Sequence, residues 1–319
     1  MTRRRPVGVT WMVILCAAAL LPSTVALAGP DTSDTHGRPA TAAASPASPP
    51  SQTIAVDPAA MACPRTLLTS YDPNKGEFFG HDVSVWTLGE DDSPAVLFQS
   101  GMTIDADGAP NAYNPHNTGL DDLANAGTPD HWDGIVTDRD GTPYIQGPGD
   151  PFPGFYVSQT ALVDWSKQRN DPARFVDASK IPYIVLPAEL SRQIGARLGD
   201  FVVVFNQRRN TSAYAIFADI GTLGEGSIAL ADELGIWSDA REGGTRGGIL
   251  YLLYPGSGDR QPHTLDEINT QTEKLFEAWG GKDRLNSCAP PQQTFRGPGP
   301  GPAAGAGPAG DQVATKNFH

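Results

Sequence analysis

Cysteine and histidine are scarce in this chain, three and six among 319 residues. No cluster of the two has zinc spacing, so a Cys/His metal centre is not expected, and no cofactor is implied. Positive charge is short too: 23 Lys and Arg stand against 36 Asp and Glu, for a formal net charge of −13. A surface of that sign does not suit the phosphate backbone of DNA or RNA, so no nucleic-acid partner is expected. It is compatible with a cationic partner, which a negative field steers, and equally with plain solubility. Internal repeats are absent. Beyond the first thirty residues no stretch is long and apolar enough to span a bilayer.

What the first residues do contain is a targeting pattern. Arg3, Arg4 and Arg5 precede an apolar run from Val7 to Leu21, and Ala26-Leu27-Ala28 supplies the small residues a signal peptidase reads. Residues 1–28 are therefore expected to be a secretory signal. The run is short for a membrane anchor, which needs ~20 residues. Cleavage would remove three arginines and no acid, taking the charge from −13 to −16. The mature chain is expected to be secreted, extracellular and monomeric, without stable membrane insertion. Cys63 and Cys288 remain, and an even count in an exported chain points to one disulfide joining the ends of the segment between them.

Composition divides the chain. Residues 29–60 are rich in Pro, Ala and Ser, and residues 290–319 in Gly and Pro. Both read as disordered, a linker and a tail. Residues 61–289 are long enough for one domain with a core of its own. Their apolar segments are short and rich in β-branched and aromatic residues: 82–88, 95–105, 154–158, 182–187, 200–207, 213–220 and 247–256. Gly, Pro, Asn and Asp separate them. That spacing predicts a mainly β fold, barrel or sandwich, rather than alternating βαβ units. Two helices are expected at its periphery. One runs over 227–234, capped by Ser227. The other runs over 264–281, with Thr264 and Glu267 as a capping box and Gly280 and Gly281 at its end. The long polar stretch 108–153 reads as a loop holding Tyr113, His116, His131, Trp132 and Tyr144. Aromatics among polar groups suit a sugar cleft, whose rings stack on pyranose faces; they would equally pin a long loop to the barrel.

Two carboxylate sites stand out. In "ADIGTLGEGSIAL" (218–230), Asp219 ends a buried strand and Glu225 follows within a glycine-rich turn. Two carboxylates across a cleft are the minimum equipment of a glycosidase: one protonates the leaving oxygen, the other activates water or attacks the sugar. A polar turn before a helix accounts for the same residues. A carboxylate near a helix N-terminus is stabilised in its charged form, whereas a general acid needs a raised pKa. Glu225 as the acid therefore requires burial or a neighbouring negative charge. The second site is Asp105 and Asp107 in "IDADG", where a strand meets a glycine turn. Asp-x-Asp-Gly resembles part of a calcium loop, as does "TDRDGT" (137–142), but the other ligands of such a loop are missing and turns account for both. Asp105 or Asp107 would alternatively pair with a cationic substrate.

"MTIDADGAPNAYNP", "YVSQTALVD", "PYIVLP", "GDFVVVFN", "AYAIFADIG…GEGSIALADELGI" and "ILYLLYPGSG" follow one another in this order. Together they resemble the chitosanases of glycoside hydrolase family 75, over roughly residues 95–257. The resemblance implies a secreted endo-hydrolase of chitosan, acting with inversion on a double-psi β-barrel and taking part in polysaccharide degradation. Its catalytic pair maps onto Asp219 and Glu225; in this reading Glu225 would be the acid and Asp219 the base, an order the residues leave open, and Asp105, Asp107 and Tyr113 would bind substrate. Chitosan is a polycation, and Asp105, Asp107, Asp121 and Asp122 would pair its ammonium groups. Two other readings stand beside this one: a barrel that grips wall polysaccharide without cutting it, and a hydrolase of another wall polymer such as peptidoglycan.

Overall fold

The computed structural model describes residues 63–71, 83–88 and 95–290, all within one unit of the chain, Ala55–His319. The expected signal segment, the 29–60 linker and all but the first residue of the 290–319 tail lie outside the described residues. Among the described residues ten strands and four α-helices follow in chain order. They are β1 (Arg65–Tyr71), β2 (Val83–Leu88), β3 (Ala95–Asp105), β4 (Gly127–Thr128), β5 (His131–Trp132), β6 (Tyr183–Leu186), α1 (Ala188–Ile194), β7 (Phe201–Asn206), β8 (Thr211–Ile220), β9 (Glu225–Ser227), α2 (Ile228–Leu234), β10 (Thr245–Leu253), α3 (Leu265–Trp279) and α4 (Gly281–Cys288).

The fold is mainly β, and six strands close a barrel in the order β3, β10, β7, β8, β6, β9, with β9 returning to β3. Two of the seams, β6–β8 and β3–β9, are parallel and the other four antiparallel. Closure pairs every strand on both sides and leaves no open barrel edge. β2 and β1 extend the sheet from β3 as an antiparallel flap.

Alternation along the strands explains why they read as continuous apolar runs. Phe98, Met102, Val202, Val204, Ala215, Phe217, Ile249 and Tyr251 fill the barrel interior, with Phe98 and Tyr251 stacked at 4.6 Å. Their alternates Leu97, Val203, Phe205, Leu250 and Leu252 face out and are covered by Phe276, Trp279 and Leu285 of α3 and α4. A third set, with Tyr183, Val185, Ile216 and Ala218, packs against the long 106–182 connection. Both faces of these strands are buried, so polar alternation disappears.

The helices match expectation in part. Ser227 caps α2 by accepting from the Leu230 N–H, and Thr264 and Glu267 form the capping box of α3. The chain does not end its helical course at Gly280. That residue turns it at φ 115°, and α4 follows, burying Leu285 and Cys288. α1 has no side-chain cap, only Pro187 before it and a left-handed Gly195 after it, which is why patterning missed it. Cys288 is bonded to Cys63, closing the domain over a sequence separation of 225. None of the described helices is long and apolar enough to cross a membrane.

The 108–153 stretch is a loop, but an ordered one. Apart from the β4–β5 pair it is held by single bridges such as Ile135–Ser158 and Ile145–Tyr156, and residues 154–158 join it instead of forming a strand. Val136, Val157, Val163 and Phe175 form a small core beneath it. Gly108 at φ +78° anchors it to the end of β3, where a Cβ would lie 2.0 Å from the Val176 carbonyl oxygen.

Candidate active site

One row of residues crosses four strands at the barrel mouth. Val185 on β6 is paired with Asp219 on β8 and with Glu225 on β9, and Glu225 is paired in turn with Thr103 on β3. Partners in register share a face. All four line a cleft of about 640 Å³. At ~4.8 Å per strand step, the Asp219 and Glu225 backbones stand roughly 10 Å apart with Val185 between them.

Asp219 reaches this row through a β-bulge. Ala213, Ala215 and Phe217 point into the barrel, and strict alternation would send Asp219 after them. Between Ile184 and Val185 the β8 register slips by one residue, so that Phe217 faces Ile184 and Asp219 faces Val185. The extra residue, Ala218, re-aims the carboxylate from the core to the cleft. Its Oδ1 then accepts the N–H groups of Ala161 (2.9 Å) and Ile220 (2.7 Å), and the residue is only 8% exposed. Burial, and next the charge of Asp105, push its pKa well above the usual carboxylate range against those two donors.

Glu225 sits at the start of β9, before the α2 cap. Its Oε2 accepts from the Thr222 N–H at 2.8 Å. A Cβ on Gly221 would lie 2.9 Å from that oxygen, so the glycine makes room for the carboxylate. Burial first, and then the charge of Asp105, push Glu225 up to about 7 from 4.5. The conflict with the α2 dipole is thereby resolved: desolvation and a like charge prevail.

Three more aspartates crowd the same wall. Asp105 Oδ1 accepts the Asp107 N–H at 2.9 Å, and burial pushes its pKa up to about 6. Burial and then the Asp105 charge raise Asp107 well above its usual range. The Tyr113 hydroxyl lies 2.7 Å from Asp107 Oδ1 and 3.2 Å from Asp121 Oδ2, tying the two together. Tyr113 is 2% exposed, so it meets the cleft as a hydroxyl and not as a stacking ring. Asp121 is buried, accepts from Asn125 and the Asp122 N–H, and is likewise shifted up, chiefly by burial. Asp122 does not line the cleft. It is paired at 2.6 Å with Arg241, whose other nitrogen donates to the carbonyls of Asn117, Gly119 and Asp121.

Sequence reasoning missed Asp133, Arg241 and Glu242, which complete the lining. Each lies in an irregular segment whose pattern carries no sign of where it packs. Tyr183 was read only as part of a strand, yet its hydroxyl donates to the Asp107 carbonyl at 3.0 Å. Trp132 and Tyr144 pack within the loop, beside Tyr156 and against the Val136 core respectively, as loop anchors would. His116 and His131 are exposed and do not line the cleft. In "TDRDGT", Asp138 accepts from the N–H groups of Asp140 and Thr142, a turn like the one at Asp105. Among the described residues no group of three or more His, Cys, Asp and Glu has metal-holding geometry.

The cleft thus gathers seven carboxylates, from Asp105, Asp107, Asp121, Asp133, Asp219, Glu225 and Glu242, against one already-paired arginine. No protein-family model matches the chain, and no curated protein matches it significantly.

Proposed function

We propose that this protein is a secreted glycoside hydrolase that cleaves internal β-1,4 bonds of chitosan, with Glu225 as general acid and Asp219 as general base. The observation that carries this reading is the acidic cleft with Asp219 and Glu225 in one row across its floor. A polymer carrying an ammonium group on each sugar is the complement of such a lining. Asp105, Asp107 and Asp121 would pair with those groups, and Tyr113 would hold Asp107 and Asp121 in place.

The chemistry follows from the environments. Protonated Glu225, with a pKa near 7, donates its proton to the glycosidic oxygen as the bond to the anomeric carbon breaks. Asp219 acts as base in its ionised form, which burial and the Asp105 charge oppose; the two main-chain donors on Oδ1 and an ammonium group of the substrate favour that form, and Oδ2 is left to face a water molecule. It takes a proton from that water as the water oxygen bonds to the opposite face of the anomeric carbon. Inversion needs the two carboxyl groups about 6.5–9.5 Å apart, so that sugar and water fit between them. The disulfide and the signal-like N-terminus support an exported enzyme.

The test is release of reducing ends from highly deacetylated chitosan by the secreted form, beside Glu225→Gln and Asp219→Asn. Each substitution is expected to lower kcat roughly 10²–10⁴-fold with folding intact. A folded parent that binds chitosan without cutting it would make the protein a wall-polysaccharide binder. Cleavage of peptidoglycan in place of chitosan would retain the pair and discard the substrate.

A further inference from the structure

A second pocket of about 450 Å³ adjoins the acidic cleft. Ile220, 42% exposed, lines both, and Ala161, whose N–H holds Asp219, lies on the far side of the shared ridge. A polymer chain that occupied both pockets would cross this ridge.

The chemistry changes there. The lining is mainly apolar, with Leu162, Val163 and Leu198, and its charged members are Arg197 and Arg260, with no carboxylate. Trp165 stands at its edge, 74% exposed. A solvent-facing indole is costly to keep ordered, yet this one is fixed: the Arg174 guanidinium lies 4.7 Å over the ring, and its Nη1 donates to the Lys167 carbonyl at 2.8 Å. That cation lies over one face of the ring, while the residue as a whole stays exposed. An exposed, pre-oriented indole face beside an apolar wall is a platform for a pyranose ring.

We propose that this pocket is a subsite on the same polysaccharide path and that it takes an N-acetylated glucosamine unit, while the acidic cleft takes free-amine units. This rests on the chitosan reading of the cleft. An ammonium group needs acceptors and a counter-charge, and the second pocket offers arginines instead. An acetamide is neutral. Its methyl group suits the Leu162 and Leu198 wall, and its carbonyl oxygen accepts from a guanidinium. The two neighbouring pockets of opposite character therefore favour partially acetylated chitosan over the fully deacetylated polymer.

The test is calorimetric titration of the full chain, carrying Glu225→Gln to prevent turnover, with fully N-acetylated chitotetraose and with its fully deacetylated counterpart. Trp165→Ala is expected to lower the ratio of the two affinities, acetylated over deacetylated, about tenfold. Trp165→Phe should keep most of that ratio, and Arg197→Glu should shift it toward the deacetylated tetramer. No binding of the acetylated tetramer, or a ratio indifferent to Trp165, would overturn the subsite, as would tighter Trp165-dependent binding of an anionic oligosaccharide such as tetragalacturonate. Hydrolysis of deacetylated chitosan by the parent is scored separately. Its absence, with a Trp165-dependent ratio, removes the chitosanase reading and keeps the subsite; its presence with an indifferent ratio removes the subsite alone.

Discussion

Glu225 shows how one side chain acquires its chemistry. Its desolvation and the charge of Asp105 raise its pKa from 4.5 to about 7. Between those values the folded chain holds a proton that the unfolded chain has released, so stability falls as pH rises through that window and is level above it. Glu225→Gln removes the penalty. At pH 8 it is expected to be more stable than the parent by roughly 3 kcal/mol, a difference that vanishes toward pH 4. Urea unfolding at the two pH values checks this; equal midpoints at pH 8 would mean that Glu225 is not desolvated. On the proposed mechanism, activity should fall above about pH 7, as Glu225 loses its proton. Gly221→Ala is a steric test at the same carboxylate. The new Cβ would meet Glu225 Oε2 and a Val185 methyl, each at 2.9 Å. It is expected to lower kcat at least tenfold by displacing the acid, while moving the melting temperature by only a few degrees, as circular dichroism would show.

At the scale of elements, two devices shape the cleft. The bulge in β8 turns Asp219 outward, and it depends on the register between β8 and β6, strands far apart in sequence. The second device is the Arg241 strap, which joins the α2–β10 connection to carbonyls of the 117–121 turn. Arg241→Ala frees that wall. The expected cost is about 1–2 kcal/mol of stability, discounted because the pair is partly exposed. KM should rise several-fold while kcat changes little, since the strap positions the wall and touches neither carboxylate of the pair. A kcat loss as large as that of Asp219→Asn would place Arg241 in the chemistry instead. The individual elements were readable to different degrees. β3, β7, β8 and β10 announce themselves as β-branched runs, and α3 by its capping box and apolar face. α1 and α4 do not, because both are short and neither has a side-chain cap at its start, unlike the equally short α2, which Ser227 marks.

Across the whole molecule, the dominant feature is a field of one sign focused in the cleft. Seven carboxylates line it, and the chain carries a formal charge of −13. On the proposed function, affinity for chitosan is therefore expected to weaken with ionic strength, because salt screens exposed pairs beyond about 8 Å at 0.15 M. Titration at low and high salt checks this, and a salt-independent affinity would point to stacking as the main source of binding.

Local chemistry decided what could be read from the chain alone. Apolar runs bounded by Gly and Pro specify strands, Ser227 and Thr264 specify helix starts, and the even pair Cys63 and Cys288 outside the expected signal segment points to the bond between them. Asp219, Glu225, Asp105 and Asp107 were visible as candidates because carboxylates beside glycine turns are locally conspicuous. Only the tertiary structure decided which way they point and what they meet. The barrel closure set β9 between β3 and β6, the one-residue slip at Ala218 brought Asp219 into the row with Glu225, and folding of the long connection added Asp121 and Asp133 to the wall. Strand register and loop placement depend on long-range packing, and a pKa depends on burial and neighbouring charge, none of which a local pattern contains.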